Sequence, residues 1–493
     1  MLDSLPIAAS DLWALAPELI ITAAASIVLL WGAFDRPRRY PVQFAWFTLV
    51  ALALAMVAVF RQTPTADTFF SGLLGMDAFG AFFSAVFLLT AALAVAASIR
   101  FLDDQQAHHP EFYFFLLTAL LGMMLMARSV DFVSLFVGLE LQSLSVYVLV
   151  GYLKADPQSN EGGMKYFILG AMSSAIFLYA ISLFYALTGT TNLAAVAEAI
   201  AAGGLETSPL TIAALVLMAS ALAFKVAAVP FHVWAPDAYS GGPTNVSLYI
   251  TVASKAAAFA VLMRIFIVAM EPMQDSWALL LAFLATATMF VGNIAALTQD
   301  NIKRMLAYSS IAHAGNVLIG VVAAATTDSD ARSFAIAATL YYLLAYTFMN
   351  VGAWATVALL RRQGLAGEQL EDFAGLATRS YWAFVAMLIF LLSLGGIPPL
   401  AGFLGKWYVF AAAINSGWTW LAVVGAINAA ISIFYYLRIV VVMAVHEAPE
   451  NTVLVRSAPL TLTLVAAALM TVVVGVWASP FLDWATGASR LLP

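Results

Sequence analysis

The chain has 493 residues, 63% of them hydrophobic and only 10% charged, with a formal net charge of −6 at pH 7 and a mean hydropathy of +0.94, which excludes an ordinary soluble domain. It contains no cysteine, and this excludes thiolate-held iron–sulfur clusters, cysteine zinc sites and disulfides. Of its five histidines only His313 lies inside an apolar run, which argues against paired haem ligands on facing helices, and no Gly-rich dinucleotide fingerprint follows a strand-like run. The chain is not expected to carry electrons itself.

Apolar segments near the roughly 20 residues that a membrane helix needs occur at 14–33, 42–60, 77–99, 112–127, 130–151, 163–187, 210–230, 244–270, 276–297, 304–325, 333–360, 380–416, 420–443 and 457–480, fourteen in all. The expected fold is an all-α polytopic membrane protein. With both termini on one side, one set of loops carries Arg36, Arg38, Arg39, Arg100, Lys154, Lys165, Lys303, Arg304, Arg361, Arg362, Arg379, Arg438 and Arg456, and the other set only Arg61, Arg128, Arg332 and Arg490. The positive-inside rule puts the basic-rich loops in the cytoplasm and both termini on the outer, periplasmic side. Met1 to Pro6 lack a basic n-region and a small-residue cleavage site, so no removable signal peptide is expected.

Two spans are interrupted in the same manner. As one helix, 381–416 would measure about 54 Å against a core of about 30 Å, and Gly395, Gly396, Pro398 and Pro399 fall in its middle. The seventh span meets Pro230 five residues after Lys225 and runs on through His232 and Trp234 to Pro236. Proline frees carbonyls that lipid cannot satisfy, so both breaks must face protein or water. Spans four to eight and nine to thirteen then form two sets of five with the broken helix fourth in each, and an odd number of spans per set makes the second inverted relative to the first. The resulting divisions are 1–110 (spans one to three), 111–270 (first repeat), 274–445 (second repeat) and 446–493 (span fourteen), with Lys225 and Lys406 as counterparts across the repeat.

Ionisable residues in the interior of these spans cost at least about 3 kcal/mol each on insertion scales and mark polar pathways. Glu140 lies mid-span beside Gln142, Ser143 and Ser145; a buried ion pair that only locks helices is the bland alternative. Moving an opposite charge away from a buried amine releases a proton, which is the content of a Glu140/Lys225 switch. Lys255 is too deep to reach either interface. Lys406, seven residues after the second break, could instead anchor an interface beside Trp407 and Tyr408. His313 fits a packing histidine or a relay between Lys255 and Lys406, and His232 has the same two readings. Asp237, Lys303, Arg304 and Lys165 sit at loop edges, where topology is the usual role. Lys303 is kept with His232 as a possible connector.

The run Phe224-Lys225-Val226-Ala227-Ala228-Val229-Pro230-Phe231-His232-Val233-Trp234-Ala235-Pro236-Asp237-Ala238-Tyr239, followed by Gly242-Pro243-Thr244, resembles a signature of the antiporter-like membrane subunits of proton-pumping NADH:quinone oxidoreductase, respiratory complex I. The runs Ser254-Lys255-Ala256-Ala257, Asn301 to His313 and Gly395 to Lys406 agree, and the resemblance covers nearly the whole chain. The lysine at 406, where the M type of subunit has glutamate, and the absence of the L type's long lateral helix after span fourteen make the wording most similar to the N type. The D-type chain of the multisubunit sodium/proton antiporters shares the fold and charge types and is the competing reading.

The resemblance implies that Glu140 and Lys225 form the switching pair, that Lys255 and His313 bridge the halves and that Lys406 gates exit to the far side. It also implies a multi-pass protein of the bacterial inner membrane, surrounded by lipid bilayer and partnered by other membrane and peripheral subunits of the complex, with no nucleic acid. FMN, iron–sulfur clusters and quinone belong, by the same resemblance, to those partners. Asn316 departs from the pattern, where an aromatic is expected, and adds polarity without touching the charged set.

Overall fold

A computed structural model of the chain describes residues 9–34, 42–65, 67–362, 365–448, 452–455 and 457–490. Met1 to Pro6 and the basic residues Arg36, Arg38, Arg39 and Arg456, which entered the sidedness reading, lie outside these residues. Among the described residues, thirteen helices are long and apolar enough to cross a membrane. In chain order they are span 1 (Ala16–Phe34), 2 (Val42–Arg61), 3 (Ala78–Asp104), 4 (Pro110–Arg128), 5 (Phe132–Val150), 6 (Pro157–Thr188), 7 (Pro209–Val226), 8 (Thr244–Ala269), 9 (Glu271–Leu297), 10 (Ile302–Ala323), 11 (Ser329–Leu359), 13 (Thr419–Val445) and 14 (Ala458–Val476). Span 12 is the broken one: Tyr381–Gly395 and Ala401–Asn415 are too short at about 22 Å each to cross alone and together complete the fourteen.

Helix starts follow local chemistry. Pro110, Pro157 and Pro209 open spans 4, 6 and 7 at the position where the missing N–H costs nothing. Asp77, Asp131, Asp156 and Asn301 accept from the free N–H groups of the first turns of spans 3, 5, 6 and 10. Spans 8, 10 and 11 are buried along most of their length and form the centre. Spans 1, 2, 6, 9, 13 and 14 bury less than half of theirs, with side chains such as Phe60, Phe283 and Phe434 facing outward as lipid requires.

Small residues let central helices approach closely. A Cβ on Gly122 of span 4 would lie 2.5 Å from the backbone N of Gln142 on span 5, and one on Gly292 of span 9 would lie 2.7 Å from the backbone N of Ala312 on span 10. Short strands, which the all-α reading lacked, tie loops together. Thr68–Phe69 pairs antiparallel with Leu74–Gly75, and Leu360–Arg362 pairs with both Leu365–Ala366 and Thr452–Leu454, so the loop after span 11 meets the one after span 13. Helices outside the fourteen spans include Leu193–Gly203, Trp234–Gly241 and Ser479–Ala488.

Candidate functional site

Span 7 stops earlier than its proline. It ends at Val226, with Ala227 in the left-handed region at φ 59°, so the break begins three residues before Pro230 and Lys225 occupies the final turn. The groups freed by the break find protein partners. The Val229 N–H donates to Thr288 Oγ1 of span 9 at 2.9 Å, and the Phe224 carbonyl accepts from Trp234 Nε1 at 3.0 Å. Trp234 is in turn fixed by a parallel stack on Tyr166, with ring centroids 4.1 Å apart.

The Lys225 ammonium donates to Ser143 Oγ at 2.9 Å, Ser143 to Gln142 Oε1 at 3.4 Å, and Gln142 Nε2 to Ser254 Oγ at 2.8 Å. This thread leads from span 7 across span 5 to span 8, where Lys255 is the next residue. Glu140, one turn before Ser143, is within electrostatic range of Lys225, but no ion pair joins them, and its Oε1 is buried without a hydrogen-bond partner.

Span 8 is unusual: Ile250–Ser254 and Arg264–Ala269 are π-helical, and Lys255–Met263 between them is α-helical. π-Turns concentrate at functional sites. Lys255 is 3% exposed, and its ammonium donates to the Ser310 carbonyl at 2.7 Å and to Ser310 Oγ on span 10. The adjacent Ser309 hydroxyl bonds Tyr436 Oη. His313 Nε2 shares a hydrogen bond with the same Tyr436 Oη at 3.2 Å, and its Nδ1 with Tyr342 Oη at 2.7 Å. His313 is thus held between two tyrosines, which the sequence reading did not single out.

Lys406 points inward at 4% exposure while its neighbour Trp407 is 59% exposed, so the interface-anchor alternative describes the tryptophan only. The Lys406 ammonium donates to the carbonyls of Leu394 and Gly395 at 2.9 and 3.1 Å, a cation on the negative end of the first half of span 12. Gly396 turns the chain there at φ 84°, and a Cβ on it would lie 3.3 Å from Lys406 Nζ. Lys225 precedes its break and Lys406 follows its own. Asn316 Nδ2 donates to the Ala312 carbonyl on its own helix.

The loop-edge charges form one cluster, with Lys165 near the start of span 6, Asp237 on the short helix Trp234–Gly241, and Lys303 and Arg304 at the start of span 10. Asp237 accepts from Lys165 and from Arg304, each at 2.8 Å, and Lys303 donates to the Gly242 carbonyl at 2.8 Å and to Glu368 at 3.0 Å. Burial alone would raise the Asp237 pKa; the hydrogen bonds from Lys165 and Arg304 outweigh it and hold the carboxyl below its ordinary value. Beside them a cavity of about 1020 Å³ is lined by His109, Tyr152, Lys154, Asp156, Lys303 and Glu368, among others. His232 lies in the first break with its Nδ1 buried and unpartnered, and no hydrogen bond joins it to the lysine thread among the described residues. No group of three or more His, Asp and Glu side chains that could hold a metal ion occurs among the described residues.

Two buried ion pairs had no signal in the sequence because their members are 110 and 187 residues apart: Arg128 with Glu18, and Arg264 with Asp77. Arg128, read as a loop residue, is 3% exposed.

A bundle with two interrupted spans and interior amines held by hydroxyl and backbone carbonyl groups defines a membrane protein of the antiporter-like class. The family described as "NADH:quinone oxidoreductase/Mrp antiporter, TM" matches residues 129–432, a stretch that contains Lys225, Lys255 and Lys406. NADH-quinone oxidoreductase subunit N 1 of Koribacter versatilis is 42% identical over 504 aligned residues, 99% of this chain and 98% of that one. Subunit N of Trichlorobacter lovleyi is 40% identical, over 97% of this chain and 96% of that one. Among solved structures, respiratory complex I from Thermus thermophilus contains a chain 32% identical with a TM-score of 0.80, covering 96% of this chain and 100% of that one. The archaeal membrane-bound sulfane sulfur reductase (24% identity, TM-score 0.82, 97% and 96% covered) and the Mrp complex from Dietzia (19%, 0.76, 97% and 96%) share the fold. The chain belongs to the NADH:quinone oxidoreductase/Mrp antiporter family of transmembrane proteins.

Proposed function

We propose that the chain is the N-type membrane subunit of a proton-pumping NADH:quinone oxidoreductase, conducting protons while its partner subunits, which hold FMN, iron–sulfur clusters and the quinone site, carry the redox chemistry. The observation that carries this reading is the one-way donor series Lys225, Ser143, Gln142, Ser254, which ends beside Lys255 on span 8. The full-length identity of 42% to a subunit N, against 19% to the Mrp chain, favours it over a sodium/proton antiporter.

The proton is taken up at Lys225, steered by Glu140, passed to Lys255, handed through His313 between its two tyrosines, and released by Lys406. Driving a charge against the membrane potential costs about 2.3 kcal/mol per 100 mV, so a continuous wire at all times would short the pump. The interrupted thread answers this need. Glu140 stands apart from Lys225, and Lys406 is bound to carbonyls that take no proton. When the Lys225 amine moves from Ser143 to Glu140 the carboxylate favours its ammonium form, and when it moves back the proton is released. The cavity beside Lys303 supplies an entry on the basic face, which the positive-inside rule makes the cytoplasmic side of a bacterial inner membrane, with both termini opposite. The two sets of five spans act as half-channels, the first ending at Lys255 and the second at Lys406.

The test is the parent complex reconstituted in vesicles with Lys225→Ala or Glu140→Ala. Protons pumped per NADH oxidised should fall while the complex still assembles; a wild-type ratio in either variant removes the switch assignment.

A further inference from the structure

The proton relay makes no use of Arg264, a guanidinium 1% exposed on the same helix as Lys255. Its Nη2 donates to both oxygens of Asp77, at 2.8 and 2.7 Å, its Nε donates to the Ala127 carbonyl at 2.8 Å, and the group lies 4.9 Å from the centre of the Phe79 ring. Asp77 is itself 4% exposed and caps span 3 through the Gly80 N–H at 2.7 Å. The residue after Ala127 is Arg128, whose Nη1 donates to Glu18 and to the Ala14 carbonyl and whose Nη2 donates to Gln62 at 2.6 Å. At one membrane face, then, the end of span 8 is bolted to span 3 and to the end of span 4, and through Arg128 to span 1 and the end of span 2.

Arg264 is also the first residue of the second π segment, and Lys255 follows directly on the first. A π-turn inserts an extra residue into the helix, and each inserted residue swings all later side chains by roughly 100° about the axis. The direction of Lys255 therefore depends on the first π segment being kept, and an α-helix is the default to which such a segment relaxes when nothing holds the piece that follows it.

We propose that Arg264 is a positioning residue for Lys255: its buried pair with Asp77 and its bond to Ala127 pin the far end of the piece Lys255–Met263 and hold the register that lays the Lys255 amine on Ser310. Spans 1 to 4 are, on this view, the fixed frame against which the relay helix is indexed. The inference rests on the proton-relay reading, and a Lys255 reference variant separates the two.

The experiment measures protons pumped per NADH oxidised, with complex content read on a native gel, for Asp77→Asn, Arg264→Met and Arg264→Lys beside Lys255→Ala. Asparagine keeps the cap on Gly80 while removing the charge. Asp77→Asn and Arg264→Met should lose the same share of pumped protons as Lys255→Ala, lose no more when combined with it, and leave complex content in place; Arg264→Lys should recover part of the loss. Lowered complex content with a wild-type ratio in what remains means a purely structural bolt and overturns the proposal, as does additive loss with Lys255→Ala. Should Arg264→Met fail to assemble, Asp77→Asn and Arg264→Lys carry the same comparison. A wild-type ratio in Lys255→Ala itself removes the relay reading and this inference with it; loss there with none in the Asp77 and Arg264 variants removes the inference alone.

Discussion

The Lys225 ammonium rests 2.9 Å from Ser143 Oγ, while Glu140, three residues earlier on the same face of span 5, holds a buried carboxylate oxygen without a hydrogen-bond partner. Residues three apart on a helix are neighbours, so the amine needs only a short lateral move to exchange a hydroxyl for a carboxylate. In the proposed switch, Ser143 is the resting station of the amine. A hydrogen bond to a charged group is worth about 1.5–3 kcal/mol, so Ser143→Ala should drive Lys225 toward Glu140 and slow proton release. Ser143→Thr keeps the hydroxyl and should pump faster than Ser143→Ala. Initial rates of pH-dye quenching in vesicles, scaled to NADH oxidation, measure this, and equal rates in the two variants would exclude the switch.

Gly396 turns the chain at the second break and faces Lys406. It sits at φ 84°, and a methyl group there would lie 3.1 Å from Lys406 Cδ and 3.3 Å from its Nζ. An L-residue in this region costs about 1–2 kcal/mol, and the side chain also pushes Lys406 off its carbonyls. Gly396→Ala should therefore lower proton pumping per NADH and lower the unfolding temperature of the complex. Gly417→Ala, where φ is 82° and the added methyl meets nothing within 4 Å, should lower the unfolding temperature without changing the pumping ratio.

Trp234 holds the first break by two independent contacts, a stack on Tyr166 and the Nε1 bond to the Phe224 carbonyl. Trp234→Phe keeps an aromatic ring and deletes the donor, leaving the Phe224 carbonyl with only the Ala227 N–H at 3.0 Å, and a lost hydrogen bond of this kind costs about 0.5–1.5 kcal/mol. The expected outcome is a complex that assembles with a lower unfolding temperature and a reduced pumping ratio, because Phe224 is bonded directly to Lys225. Unchanged pumping would mean that the break is positioned by the stack alone.

Asp237 gives a pH dependence of stability. Lys165 and Arg304 hold its folded pKa below the ordinary value of 3.8, against burial. A depressed carboxylate pKa stabilises the fold above the unfolded value, and that contribution is lost as the pH falls through the folded one. The difference in unfolding temperature between the wild type and Asp237→Asn should be largest near neutral pH and shrink as the pH drops through 3.8. Thermal melts across pH 7 to about 3.5 check the sign; a gap that widens in acid contradicts it.

The spans, both interruptions and the four interior charges Glu140, Lys225, Lys255 and Lys406 were legible because each is a local signal: hydropathy over about 20 residues, a Gly/Pro pair, or an ionisable group where hydrocarbon penalises it. The end of span 7 was misplaced by a few residues because Ala227, not Pro230, takes the left-handed turn. No local signal marks an alanine for that conformation. The partners of the charges were less legible. Ser143, Ser310, Tyr342 and Tyr436 are common residues in apolar helices, and nothing in their local sequence says that they face an amine.

What is buried in hydrocarbon and where the helices break can be read along the chain alone, since both follow from the transfer cost of each group and the backbone chemistry of Gly and Pro. Which groups meet is settled only in the folded bundle: Lys225 with Ser143 rather than Glu140, His313 between Tyr342 and Tyr436, and Arg264 with Asp77 at a separation of 187 residues. Hydrogen bonds and ion pairs act over a few ångströms, so they are fixed by how helices rotate and pack against one another. That is a property of the assembled bundle, which no single span encodes.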